Sequence, residues 1–186
     1  MNIPNILTVM RVALIPVLVL LFLLPFEWSY LAAAAVFALA SATDWLDGYL
    51  ARKWEQSTPL GTFLDPVADK LLVATALVLL AQQHHNLFLT LPALIIICRE
   101  IVVSALREWM AELGKRAQVA VSSLGKWKTA AQMMALVVLL ANPPELSTWV
   151  LIGYVLLGIA AILTLWSMWI YLRAAMPHLL DRESTK

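Results

Sequence analysis

Six apolar runs divide the chain, at 12–26, 31–42, 71–81, 87–98, 136–141 and 150–172; Pro16 and Pro25 interrupt the first, and AAQMMA leads into the fifth. A helix that spans a bilayer core needs about 20 apolar residues. The shorter runs reach that length only by continuing into polar or charged segments. The pattern therefore predicts six helices, some with polar ends. Only 13% of residues are charged, against about 25% in soluble domains, so the expected fold is an all-α, polytopic membrane protein with six transmembrane helices. No repeat, low-complexity tract or linker marks a boundary, so residues 1–186 are expected to form a single membrane domain.

The 13 Lys and Arg residues are segregated. They fall at Arg11, around the second connection at Arg52, Lys53 and Lys70, around the fourth from Arg99 to Lys128, and after the sixth run. The first, third and fifth connections, PFEWSY, AQQHHN and ANPPELST, contain none. By the positive-inside rule both termini and the even connections are expected on the cytoplasmic side. Residues 1–35 read as an uncleaved first span, since the first charge comes only at Arg11 and the orientation needs that helix. A net charge of +1 leaves no basic footprint for nucleic acid. The single Cys98 excludes an internal disulfide framework.

Against this background the block DWLDGYLARKWEQSTPLGTFLDPVADK, residues 44–70, is conspicuous. On a helix over 31–53, Asp44, Asp47, Gly48 and Ala51 share an arc of roughly 100°, with Arg52 at its edge. Gly48 costs about 1 kcal/mol relative to Ala inside a helix, which suits either close approach by a ligand or close helix packing. Ser57 or Thr58 can cap a following helix with Pro59 at its first position. Gly61, Asp65 and Asp69 then recur every four residues on one stripe, with Pro66 positioned to bend it. The short connection EQSTP makes the two helices antiparallel neighbours whose stripes can face each other. Four close carboxylates must either take up protons or be neutralised by cations, and hard oxygen ligands suit Mg²⁺ or Mn²⁺ rather than zinc. Two such ions about 4 Å apart can clamp the attacking and leaving oxygens of a phosphoryl transfer, with Arg52 placed for phosphate contact. The plainer alternative is a set of solvated charges snorkelling at a membrane surface.

Asp44, Asp47, Gly48, Ala51, Arg52, Gly61, Asp65 and Asp69 fit D-x2-D-G-x2-A-R-x8-G-x3-D-x3-D without departure, and this resembles the signature of the CDP-alcohol phosphotransferases. The resemblance implies a six-helix membrane enzyme, commonly a homodimer, that displaces CMP from a CDP-linked lipid or alcohol. It implies two metal ions held by Asp44, Asp47, Asp65 and Asp69, with Asp69 also the general base. It further implies a CDP-diacylglycerol site at Asp47, Gly48, Ala51, Arg52 and Gly61. The opening NIPNILTVMR and the later GKWKTAAQMM are similar to the bacterial branch of the family that uses sn-glycerol 3-phosphate as acceptor and makes phosphatidylglycerophosphate. That branch works in the cytoplasmic (inner) membrane, with its site at the cytoplasmic face.

An anionic acceptor needs cations that the aspartate block does not supply. Arg99 lies well inside the fourth helix, where an unpaired charge costs a few kcal/mol. Glu100 is not expected to partner it, because adjacent helical residues point apart. Arg107 returns to nearly the same face. Arg99 and Arg107, followed by Lys126 and Lys128, are the candidate acceptor-phosphate ligands, although the lysines also suit contact with anionic lipid. Thr8 and Arg11 are candidate entrance contacts, surface anchoring being the alternative for Arg11. His84 and His85 are expected in a solvated loop. Trp28, Trp54, Trp109, Trp127 and Trp149 fall near helix ends, as an interfacial belt would place them. Siblings using serine, inositol phosphate or phosphatidylglycerol share the signature. A divalent-metal transporter could also use intramembrane carboxylates, though more naturally at the midplane between inverted repeats.

Overall fold

The computed structural model describes residues 3–54, 59–112 and 123–180, with side chains for all of these except 3–5, 45–54, 59–60, 62, 123–126, 174–175 and 177–180. The described residues form six helices and no strands: α1 (Ile3–Phe22), α2 (Trp28–Trp54), α3 (Pro59–His84), α4 (Leu87–Glu112), α5 (Ser123–Leu140) and α6 (Thr148–Leu180). All six expected helices are present, and most extend beyond their apolar runs into the flanking polar sequence. The exception is α1, which starts earlier than expected and stops at Phe22 rather than 26. Leu23 and Leu24 close that end with N–H bonds to Val19 and Leu21 carbonyls, and Pro25 then disfavours helical geometry at Leu24.

The other ends are equally legible. Pro59 opens α3, as its preset φ allows. Asn86 caps α4, its Oδ1 accepting the Leu89 N–H at 3.0 Å, and Ser147 Oγ accepts the Val150 N–H of α6 at 3.3 Å. Between α3 and α4 the chain reverses through His85, which adopts a positive φ of 47°. Pro16, Pro66 and Pro92 each lie inside a continuous helix.

Packing follows the up-and-down order that short connections impose. Helix α1 packs against α2 and α3, α5 against α6, and α4 against α6, while α2 and α3 touch each other comparatively little. Among the described residues α1 lies against both α2 and α3, which also touch each other directly. Leu18, Phe37, Leu72, Leu77, Leu80, Ile96, Leu136 and Leu157 are fully buried in the shared core. The outward face is nevertheless apolar too, with Leu20, Leu31, Phe88, Ile101, Trp127 and Ile162 exposed. Helix α4 and residues Thr148–Arg173 of α6 are each long and apolar enough to cross a membrane.

The α5–α6 contact depends on a missing side chain. A Cβ built at Gly153 would lie 2.6 Å from Leu139 Cγ and Cδ2. Gly153→Ala is therefore expected to destabilise the bundle by about 1–3 kcal/mol. Leu139→Ala in the same chain should recover part of that loss, read as thermal midpoints in detergent; additive midpoints would contradict the contact.

Candidate active site

Alternating helix direction brings the first halves of α1, α3 and α5 to the same end of the bundle as the second halves of α2, α4 and α6. Almost every buried charge among the described residues is at that end. Asp44 sits on α2, and Asp65 and Asp69 lie one turn apart on α3. The link between them comes from α1. Arg11, whose side chain is fully buried, donates from Nη1 to Asp44 Oδ1 at 2.6 Å, and Thr8 Oγ1 donates to Asp65 Oδ1. Thr8 and Arg11 are three residues apart and so share one face of α1. Their burial (1% and 0% exposure) corrects the surface-anchoring alternative for Arg11. Asp69 is half-buried and lies within Coulombic range of both Asp44 and Arg11.

Asp47, Gly48, Ala51 and Arg52 belong to α2, but their side chains lie outside the described residues, as does that of Lys126 on α5. Gly61 is buried on the first turn of α3. Among the described residues no three acidic or imidazole groups are gathered closely enough to hold an ion, one oxygen of Asp44 and one of Asp65 being engaged by α1. The donor chemistry nonetheless fits a hard divalent cation. Asp44, Asp65 and Asp69 offer only oxygen, they converge from two helices on one end of the bundle, and Asp47 follows Asp44 within a turn.

A second charged group lies beside the first. Glu100 Oε1 accepts from Arg99 Nη1 at 2.8 Å and from Lys128 Nζ at 2.7 Å. Arg99 also donates from Nη2 to Ser167 Oγ at 3.0 Å and stands 5.7 Å from the centre of the Tyr171 ring, in cation–π range. Ser167 is in turn fixed by donating to the Thr164 carbonyl at 2.9 Å. Here the sequence reasoning was wrong about Glu100. The backbone vectors of neighbouring residues do diverge, but Arg and Glu are long enough to bend back and meet at a shared carboxylate. Lys128, at 6% exposure, is part of this buried cluster rather than a surface lipid anchor. Arg107, two turns further along α4, is exposed and has no part in these contacts. Asp69 is within Coulombic range of Glu100 and Lys128 as well, so the two charged groups are neighbours at this end of the bundle.

Sequence reasoning weighed Glu100 and set it aside, and it missed Ser167 and Tyr171 altogether. Glu100 carried the only available signal, an acid beside a base deep in an apolar helix. At the other end of the bundle, His84 is buried at 9% exposure, with Nδ1 2.7 Å from Tyr154 Oη and the two rings edge-on. This corrects the solvated-loop expectation for His84, although His85 is exposed.

Comparison with known proteins gives the family. The chain is 69% identical over 180 residues to the CDP-diacylglycerol–glycerol-3-phosphate 3-phosphatidyltransferase of Pseudomonas fluorescens, covering 96% of this chain and 92% of that protein. It is 58% identical over 182 residues to the proteins of the same name from Shigella flexneri serotype 5b (strain 8401) and Escherichia coli (strain K12), covering 97% of this chain and 98% of each. The family profile described as CDP-alcohol phosphatidyltransferase matches residues 1–168, a stretch that contains the aspartate block, both partners from α1 and Arg99, Glu100, Lys128 and Ser167, but not Tyr171. On these grounds the chain belongs to the CDP-alcohol phosphatidyltransferase family.

Proposed function

We propose that the protein transfers the phosphatidyl group of CDP-diacylglycerol to sn-glycerol 3-phosphate, releasing CMP and forming phosphatidylglycerophosphate. The observation that carries this reading is the pairing, at one end of the bundle, of an aspartate group with a buried Arg99–Glu100–Lys128 cluster. The first suits a diphosphate with its counter-ions and the second an anionic acceptor. The near-full-length similarity to enzymes of that name supports it.

In the proposed reaction Asp69 accepts the proton of the acceptor's 1-hydroxyl. The oxygen attacks the β-phosphorus, the one bearing diacylglycerol. A new P–O bond forms, the phosphoanhydride bond breaks, and its electron pair leaves on CMP. Two divalent ions, Mg²⁺ or Mn²⁺, held by Asp44, Asp47, Asp65 and Asp69, would neutralise the diphosphate charge when bound. Thr8 and Arg11 hold Asp65 and Asp44 in place from α1. Gly48, Ala51, Arg52 and Gly61 line the path of the cytidine diphosphate, the small residues admitting it close to the backbone. Transfer of this kind depends mainly on positioning and charge neutralisation, which two carboxylate-bearing helices and a set of buried cations supply.

The protein is further proposed to lie in the bacterial cytoplasmic membrane as a homodimer, with six spans, both termini and the site end at the cytoplasmic face. The apolar outward surface supports membrane burial. The absence of Lys and Arg from the connections at 23–27, 85–86 and 141–147 supports the orientation.

The deciding experiment measures CMP release by the purified protein in mixed micelles with CDP-diacylglycerol, offering glycerol 3-phosphate, serine, inositol phosphate or phosphatidylglycerol separately. Release is expected only with glycerol 3-phosphate; it should vanish on chelation and return with Mg²⁺ or Mn²⁺. Release with a different acceptor would overturn the acceptor assignment, and no release with any would favour a metal transporter. Arg99→Ala is expected to raise the KM for glycerol 3-phosphate about tenfold or more, with a smaller change in kcat, as loss of a charge-assisted hydrogen bond predicts. An unchanged KM would remove Arg99 from the acceptor site.

A further inference from the structure

Arg99 and Lys128 are assigned to the phosphate of the acceptor, yet both already hold an anion. A single oxygen, Glu100 Oε1, accepts from Arg99 Nη1 at 2.8 Å and from Lys128 Nζ at 2.7 Å. The rest of the guanidinium offers a ligand little, because Nη2 is held by Ser167 and Nε is buried. The nitrogen left for an incoming phosphate is therefore Nη1, the one that Glu100 occupies. Of the three side chains the carboxylate is also the outermost, 25% exposed against 12% and 8% for the two cations. An anion that reached these cations without moving Glu100 would lie against a like charge.

Glu100 has an alternative position. It lines a cavity of about 400 Å³ between α3 and α4, and Lys70 lines the same cavity from the facing helix. Among the described residues Lys70 has no ion-pair partner, and both side chains are long enough to meet across a space of this size. The charges favour an exchange. With the acceptor absent, two buried cations require a counter-charge, and Glu100 provides one. A phosphomonoester brings close to two negative charges and three accepting oxygens, so it can replace the carboxylate at both cations and release it toward Lys70. A neutral alcohol has no charge to set against the carboxylate, so the same exchange selects for a phosphorylated acceptor.

We propose that Glu100 is a displaceable counter-ion, which holds Arg99 and Lys128 while the acceptor subsite is empty and moves to Lys70 when the phosphate of the acceptor takes its place. The exchange rests on the acceptor reading above. To test it, the full chain in detergent micelles is treated with a membrane-permeant carbodiimide, which activates a carboxyl group so that an adjacent lysine amine closes an amide, and the links are mapped by peptide mass spectrometry. Without ligand the amide is expected between Glu100 and Lys128. Saturating glycerol 3-phosphate should lower that product by about tenfold and give a Glu100–Lys70 amide instead, whereas glycerol, the uncharged control, should change nothing. A Glu100–Lys128 amide that persists with glycerol 3-phosphate would overturn the proposal, as would its loss without a link to Lys70. Kinetics supply a second reading that needs no cross-link. Glu100→Gln removes the competing anion, so the KM for glycerol 3-phosphate should fall by about tenfold, and glycerol 3-phosphate should raise the thermal midpoint of the variant more than that of the parent. If Glu100 only positioned the two cations, the KM would rise; a raised or unchanged KM refutes the exchange. CMP release by the parent protein separates the two readings: release with glycerol 3-phosphate and an unmoved amide refutes the exchange alone, whereas no release with that acceptor removes the acceptor reading as well.

Discussion

Asp69→Asn will lower CMP release by about 10²- to 10⁴-fold, the usual contribution of a positioned base, while binding of CDP-diacylglycerol stays measurable. The substitution keeps the size of the side chain and the packing of α3, so lost activity will not reflect a lost fold. Asp69 is also a proposed metal ligand, and the two roles respond differently to excess cation. A weakened metal site recovers as Mg²⁺ or Mn²⁺ is raised, whereas a missing base does not. Wild-type turnover in the variant would end the assignment of Asp69 as base, and full recovery at high metal would reduce it to a ligand.

The second large effect is expected on stability. Glu100→Gln strips the shared counter-charge from Arg99 and Lys128, whose side chains are only 12% and 8% exposed. Breaking a buried ion pair by removing one partner costs about 3–5 kcal/mol, because the remaining charge is left uncompensated. Here two cations are left facing each other, and the retained hydrogen bond to Ser167 and cation–π contact with the Tyr171 ring offset only part of that. The thermal midpoint in detergent should fall markedly. Adding Lys128→Met should restore much of it, giving a coupling energy above about 1 kcal/mol in a double-mutant cycle. A variant as stable as the parent would mean that Glu100 carries no counter-charge role.

How much of this was readable from the residues depends on the distance over which each interaction acts. Helix number, and the start of α3 at Pro59, follow from apolar runs and capping chemistry that operate within a few residues. The aspartate stripes are local in the same sense, since four-residue spacing fixes a face before any tertiary contact exists. The role of α1 is not local. Thr8 to Asp65 spans 57 residues and Arg11 to Asp44 spans 33, and no periodicity says that the first helix lies against both carboxylate helices. Glu100 shows another limit: helical phase sets where Cβ points, but a long side chain can bring its tip back by several ångströms. His84 was misjudged for the opposite reason. Its connection looked polar, yet Tyr154, 70 positions away, buries the ring.

The tie between Arg99 and α6 bears on when the protein becomes competent during its synthesis. Chains emerge from the ribosome N-terminus first, so the aspartate signature is available while most of the protein has yet to be made. Ser167 and Tyr171, which hold the Arg99 guanidinium, come last of all the described contacts around the site. A nascent chain of five helices therefore has the groups proposed to receive a nucleotide lipid but lacks the support for the cation proposed to bind the acceptor. On that proposal, vectorial assembly orders the two subsites in time, the one for the activated lipid before the one for the acceptor, which waits for the final helix.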